Sequence, residues 1–230
     1  MEYNIRINGL KVKATFDDQC IREIFEPLLV NLRRIQKEKG KRIVVMLAAP
    51  PGTGKTTLAY FLKELAPYPI TVIGMDGFHH YQDYLIEKNQ VSIKGAPITF
   101  DLEKLTERLK MVSEGKECGW PEYNRALHDP QEDATIVKGD IVLIEGNYLL
   151  LEQEGWKELS AYGDYTIFIK ADETFLRNRL VMRKAQGIPM HEAVQFVEKS
   201  DLANVREVLQ HSKKADLMLE MISDGKYRVE

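Results

Sequence analysis

"VVMLAAPPGTGKTTLA", Val44 to Ala59, decides how the rest of the chain is read. An unbroken apolar run, a turn holding Gly52 and Gly54, and then "KTTLAYFLKEL" describe a buried strand, a loop and a helix in immediate succession. That succession is the grammar of a phosphate-binding loop, GxxxxGK followed by Ser or Thr, with Ala49 standing where the first glycine is usual. The first position only turns the chain out of the strand, and alanine has the smallest side chain after glycine. Gly52 and Gly54 let backbone N–H groups converge on phosphate oxygens, and the helix N-terminus adds positive potential. Lys55 would reach the β- and γ-phosphates and the Thr56 hydroxyl would ligate Mg²⁺. The expected nucleotide cradle is therefore Ala49, Pro50, Pro51, Gly52, Thr53, Gly54, Lys55, Thr56 and Thr57, with the paired prolines stiffening the loop.

Outward from the loop, the same grammar repeats. "PITVIGMD" (69–76), "DIVLIEG" (140–146) and "DYTIFIK" (164–170) are short apolar runs separated by amphipathic stretches, notably Leu102 to Val112 and Thr174 to Gln186. Strands alternating with helices imply right-handed crossovers, a parallel sheet and helices on both of its faces. The fold class is α/β, a three-layer α/β/α sandwich. Before it, residues 3 to 16 read as a β-hairpin turning at Asn8-Gly9, which suits a type I′ turn. That register pairs Ile7 with Leu10, Ile5 with Val12 and Tyr3 with Ala14, and sets all six on one face. A helix follows to a stop at Gly40, with Pro27 expected in the first turn of its second part. "SDGK" (223–226) suggests a last turn. The chain divides into a hairpin-helix appendage, 1–40, and one domain, 41–230.

The bulk numbers exclude several classes. A net charge of −3 over 230 residues calls for no nucleic-acid or anionic-membrane partner. Two distant cysteines, Cys20 and Cys118, make no disulfide framework or zinc site and suit a reduced cytoplasmic setting. No apolar run approaches the roughly 20 residues of a membrane span. The hairpin's apolar face must be covered by its own chain or by a second subunit, so a homodimer is one expectation.

What would receive a phosphate is read from "VIGMDGFHHYQDYL" (72–85). A strand ending in Asp-Gly sets Asp76 at the carboxyl edge of the sheet beside the loop, where a phosphoryl transferase needs a carboxylate for the attacking hydroxyl. Glu145 ends a neighbouring apolar strand in the same layer. Thr56, Glu145 and Asp76 are the candidate Mg²⁺ ligands. His79 could line the acceptor pocket, Tyr148 could wall it, and Asp101 fits a helix N-cap. Arg179 and Arg183, four apart, share a helix face and could neutralise a transferring phosphoryl group.

Taken in order, "MDGFH", "KGAPITFD" (94–101), "WPEYNRALHDP" (120–130), "IEGNYLLL" (144–151) and "SDLANVREVLQHSKKADLML" (200–219) resemble the phosphoribulokinase/uridine kinase family of P-loop kinases. The likeness runs over about residues 40 to 222 and is nearest to the pantothenate-kinase-like branch, bacterial nucleoside and sugar kinase-like proteins. It implies five parallel strands in the order 2-3-1-4-5, MgATP as phosphoryl donor and a small hydroxylated metabolite as acceptor. It also implies Asp76 as catalytic carboxylate, Glu145 near Mg²⁺ and substrate, and Arg125 facing the substrate or the transferred phosphoryl. Arg179 and Arg183 match the arginines of a lid, expected around 173–200, and Asn204 falls in a segment near the nucleotide. The chain departs from the family pattern at Asn124.

The expectation is thus an ATP-dependent kinase acting on a hydroxyl of a nucleoside, a pantothenate-like compound or a sugar. The alternative is a nucleotide-dependent ATPase or GTPase switch that binds a partner, for which the extra N-terminal hairpin and helix are the main support.

Overall fold

A computed structural model describes residues 2–7 and 10–230; the expected Asn8-Gly9 turn lies outside the described residues. The chain opens with strands β1 (Glu2–Ile7) and β2 (Leu10–Thr15), paired antiparallel in the expected register. Helix α1 (Asp18–Cys20) runs through a π turn, Ile21–Phe25, into α2 (Glu26–Lys39). Pro27 sits in the first turn of α2, where its missing N–H is harmless, and Gly40 closes the helix in the left-handed region at φ 67°.

The sheet begins at β3 (Ile43–Ala48), followed by α3 (Lys55–Leu65), β4 (Thr71–Gly74), α4 (Gln82–Glu87) and α5 (Leu102–Ser113). A separate hairpin, β5 (Cys118–Asn124) with β6 (Asp129–Val137), precedes β7 (Ile141–Gly146). Then come β8 (Tyr165–Ala171), α6 (Glu173–Lys184), α7 (Met190–Phe196), α8 (Leu202–His211), β9 (Leu217–Ser223) and β10 (Lys226–Val229). Asp101 and Asp172 cap α5 and α6, each accepting a backbone N–H of the first turn.

The five parallel strands lie in the order β4-β7-β3-β8-β9, which is 2-3-1-4-5, and β10 adds an antiparallel edge beyond β9. Along β3 the side chains alternate between two buried cores. Ile43, Val45 and Leu47 face a core shared with α2, α3, α6 and the N-terminal hairpin; Val44, Met46 and Ala48 face another shared with α5 and the segment Tyr148–Trp156. A sheet buried on both sides explains why its strands are continuous apolar runs.

The N-terminal hairpin is covered by its own chain. Ile5 is fully buried, and Tyr3, Phe16, Phe25, Phe61 and Tyr227 form one aromatic cluster, with Phe16 and Phe61 stacked at 3.9 Å. Residues 118–130 contribute β5 and the start of β6. Trp120 is buried and its indole N–H donates to Gly74 O at 2.8 Å, which clamps this hairpin to β4, while Pro121 falls where the register shifts. Among the described residues, no helix is long and apolar enough to cross a membrane.

Candidate active site

The loop after β3 is built to hold its shape unaided. Ala49 N–H donates to Gly146 O at 3.3 Å, so this residue is a buried continuation of the strand rather than the turn itself. Thr53 is fully buried and its hydroxyl donates to Pro50 O at 2.9 Å, pinning the loop's middle to its start. Gly52 and Gly54 take φ of 91° and 76°, values a side chain rarely tolerates. A Cβ on Gly52 would also lie 3.2 Å from Leu180 Cγ, because α6 packs directly behind the loop. Lys55 opens α3, so the loop ends at a helix N-terminus with its amides uncommitted to earlier carbonyls.

Acidic and basic groups converge on this terminus. The Thr56 hydroxyl donates to Glu145 Oε1 at 2.8 Å, and Lys55 Nζ lies 3.9 Å from Glu145 Oε2. Glu145, at the end of β7, is 7% exposed. Burial pushes its carboxyl above the usual range and Asp76 adds to the rise, while Lys55, the Thr56 hydroxyl and Arg125 oppose it. Asp76 sits in the turn Met75–Phe78 that follows β4. Its neighbour must be glycine, since a Cβ on Gly77 would fall 1.9 Å from Pro121 O of β5. His79 packs 4.0 Å from the Phe100 ring, with Nδ1 2.8 Å from Asp76 O, a distance for donation by an Nδ1–H. Burial lowers its pKa against the pull of Asp76, so it is neutral at pH 7.

Three cavities surround the loop. The smallest, 120 Å³, is lined by Thr56, Asp76, Arg125, Glu145, Tyr60 and, from the N-terminal hairpin, Ile7. A second, 840 Å³, shares Asp76 and Arg125 with the first and adds Pro51, Gly52, Lys55, His79 and Arg183. The third, 290 Å³, lies across the loop and is lined by Thr53, Gly54, Thr57, Arg179 and residues of β2.

Sequence reasoning had grouped Arg179 with Arg183, and the structure separates them. Arg179 Nε donates to Gly52 O at 2.7 Å and the guanidinium pairs with Asp224, which turns it into the third cavity, away from Lys55 and Asp76. A spacing of four keeps side chains neighbouring but does not force one direction on two long arginines. Tyr148 lines none of the three cavities. It is fully buried among Phe100 and Trp156, and its hydroxyl donates to Gly95 O at 2.6 Å. Asn204 is likewise buried, with Nδ2 beside Gly95, and lines none of them. Pro50 is buried under the loop.

Other residues enter the site unannounced. Tyr60 belongs to the helical stripe of α3, which masks its role as a cavity wall. Asn147 follows Glu145-Gly146, lines the large cavity and has a buried Oδ1 without a hydrogen-bond partner. Lys94, the first residue of "KGAPITFD", lines the same cavity and donates to His128 O and Gln82 Oε1 at 2.7 and 2.9 Å. Among the described residues, no three His, Cys, Asp or Glu side chains gather as a metal cage. Thr56 and Glu145 instead present two oxygens beside the loop, the partial set that suits Mg²⁺ when phosphates and water complete its shell.

No family model matches the chain. The uncharacterized protein YggC of Escherichia coli (strain K12) is 44% identical over 234 aligned residues, covering 99% of this chain and 98% of that one. A pantothenate kinase of Streptococcus equi subsp. zooepidemicus (strain H70) is 24% identical over 95% of this chain and 87% of its own length. Among solved structures, a protein of Silicibacter sp. TM1040 provisionally assigned as a fructose transport system kinase superposes with a TM-score of 0.76 at 31% identity, over 83% of this chain and 98% of that one. Phosphoribulokinase from Rhodobacter spheroides shares the fold, with a TM-score of 0.58 at 11% identity over 78% of this chain and 70% of its own.

Proposed function

This chain belongs to the phosphoribulokinase/uridine kinase family of P-loop kinases, in its pantothenate-kinase-like branch, and is a small-molecule kinase; from that premise we propose that it transfers the γ-phosphoryl group of ATP to a hydroxyl of a small metabolite. The observation that carries this reading is the shared wall of two cavities. Asp76 and Arg125 line both the space over Glu145 and Thr56 and the space over Lys55 and Gly52. A donor on the loop and an acceptor beside Asp76 would then meet over one carboxylate and one guanidinium.

The roles follow from charge and position. The amides of Gly52 to Thr57 and the Lys55 ammonium hold the β- and γ-phosphates. Thr56 and Glu145, with Asp76 nearby, are the residues that would hold Mg²⁺, which supplies neutralising charge on the phosphates. Asp76 accepts the proton of the attacking hydroxyl, and neutral His79 and Arg125 border the acceptor. Arg183 stabilises the transferring phosphoryl from above, where α6 and α7 roof the large cavity as a lid and exclude water from the reaction. Arg179 is assigned instead to the donor's nucleoside end, on the side of the loop it faces. A nucleoside, a pantothenate-like compound and a sugar all offer the required hydroxyl.

The test is a coupled ADP-release screen over small hydroxylated metabolites with ATP and Mg²⁺. Acceptor-dependent release is expected. Nucleotide hydrolysis or partner capture that no acceptor alters would overturn the reading in favour of a switch.

A further inference from the structure

The N-terminal hairpin has one side that nothing in the fold consumes. Among the described residues, strand β2 pairs only with β1, so its other edge carries no further strand. The phase of that edge is fixed by Arg6, whose backbone N–H donates outward to Glu64 Oε1 at 3.1 Å. In an antiparallel pair the outward-facing residues recur at every second position. Arg6 faces Lys11, Asn4 faces Lys13 and Glu2 faces Thr15, so Lys13 and Thr15 turn their N–H and C=O groups away from β1. Thr15 bears this out, because a Cβ on Gly225 would fall 1.8 Å from its carbonyl oxygen. Among the described residues, the main-chain groups of Lys13, two residues earlier, make no hydrogen bond outside the hairpin.

Lys13 lines the 290 Å³ cavity on the far side of the phosphate loop, opposite Thr53, Gly54, Thr57 and the Arg179–Asp224 pair. That space lies near the lower end of ligand-pocket volumes and suits one ring system rather than a whole nucleotide. Its direction is set by the site already described. With the γ-phosphate toward Lys55 and Asp76, a triphosphate lying on the loop runs its nucleoside end across Gly54 to Thr57.

We propose that the free edge of β2 reads the nucleobase of the phosphoryl donor, the Lys13 N–H and C=O bonding a ring nitrogen and the exocyclic amine of adenine. The pairing is the one by which an extended segment adds to a strand edge, with a base in place of the peptide. Guanine puts an oxygen acceptor where adenine has its amino donor, so in the same pose a carbonyl faces a carbonyl. The inference rests on the phosphate-loop reading above and extends it to donor specificity.

Titration calorimetry of the full chain with MgATP, MgGTP and magnesium tripolyphosphate tests it. Lys13→Pro removes one N–H that the hairpin ladder does not use. It should weaken ATP roughly tenfold, as loss of a hydrogen bond worth about 1.4 kcal/mol does. Tripolyphosphate should bind unchanged and preference for ATP over GTP should fall. Lys13→Ala, which keeps the N–H, should bind ATP as wild type does. Equal ATP binding by Lys13→Pro would overturn the proposal, as would a matching loss for tripolyphosphate, which would mark the hairpin as a mere support. Hydrogen exchange on the unaltered protein gives a second arm: the Lys13 amide should gain protection with ATP and not with tripolyphosphate, and protection by neither overturns it. Wild-type protein that binds neither compound would sink the phosphate-loop reading and this one with it.

Discussion

Thr56 Oγ1 donates a 2.8 Å hydrogen bond to Glu145 Oε1, tying the first turn of α3 to the end of β7. The bond joins the phosphate loop to a buried carboxylate from a neighbouring strand. Thr56→Val keeps the shape and removes the donor. Leaving the buried acceptor short of a partner should cost about 1–3 kcal/mol, read as a lower melting temperature. Turnover should fall by about 10²-fold or more, and Thr56→Ser should recover both. A valine variant with wild-type kcat would remove the pair from the chemistry.

Asp76→Asn should bind ATP normally and lose about 10²- to 10⁴-fold in kcat, the usual worth of general-base help. Lys55→Ala should also fold normally but lose ATP affinity together with turnover. Calorimetric titration beside the ADP-release assay separates the two. An asparagine variant with unaltered kcat dismisses Asp76 as proton acceptor.

Arg183 and Arg179 should part in assay as they do in space. Arg183→Ala should lower kcat with little change in KM for ATP. Arg179→Ala removes a charge-assisted bond to Gly52 O, worth about 1.5–3 kcal/mol, and should loosen the loop and raise KM for ATP instead. Identical kinetic signatures would contradict the separation.

Gly77→Ala forces a methyl against Pro121 O and tests the packing that presents Asp76. The expected loss is about 3 kcal/mol, or a melting temperature lower by roughly 6–12 °C for a chain of this size. A variant that melts with the wild type would show that β5 yields at no cost.

His79 sets a pH dependence of stability. Its folded pKa lies below the ordinary 6.5 because burial penalises the charged ring. Above pH 6.5 folded and unfolded forms are both neutral and the full stability is present. As pH falls below 6.5 the unfolded chain takes up a proton that the folded one refuses, and stability is lost until the folded pKa is passed. His79→Phe keeps a ring beside Phe100 and should lose less melting temperature between pH 7.5 and 5.5. Equal slopes for the two proteins would count against a neutral buried His79.

Much of this was legible because the sheet is buried on both faces. The stretches 43–48, 141–144 and 167–169 are unbroken, apolar and buried, which marks their strands as inner ones, and family resemblance supplied their order. The β5–β6 hairpin was not legible. Pro121 sits inside its first strand, and "DPQEDATIV" is mostly polar because seven of its nine residues face outward or are only partly covered. Trp120 holds that hairpin by a long-range bond to Gly74, which no local spacing announces.

At the site, the gathering of Thr56, Glu145, Asp76 and Lys55 around one loop was readable from their positions at or just beyond strand ends and at a helix start, whereas Arg125 came only from the family resemblance. Tyr148 misled because an aromatic in a motif reads equally as wall or core, and here its hydroxyl braces Gly95. Tyr60 was hidden by periodicity, since a helical stripe reads as packing whichever cavity its rim meets. Arg179 required the third dimension: nothing in "TFLRNRLVMRK" says that Asp224 waits on one side of the loop and not the other.

The seam between the two ends of the chain also constrains how the protein is made. Asp17 N–H bonds Gly225 O at 2.9 Å, and the Cys20 thiol and Tyr227 main chain exchange bonds across 207 residues. A ribosome delivers the hairpin well before Gly225, so it can pack on Phe61 early, but its seam to β10 closes only after Gly225 has cleared the exit tunnel. Phe16 and Phe25 therefore wait without Tyr227 through most of translation, a sticky surface that a chaperone would recognise, and a product that stops short of β10 would carry the loop but leave that surface bare.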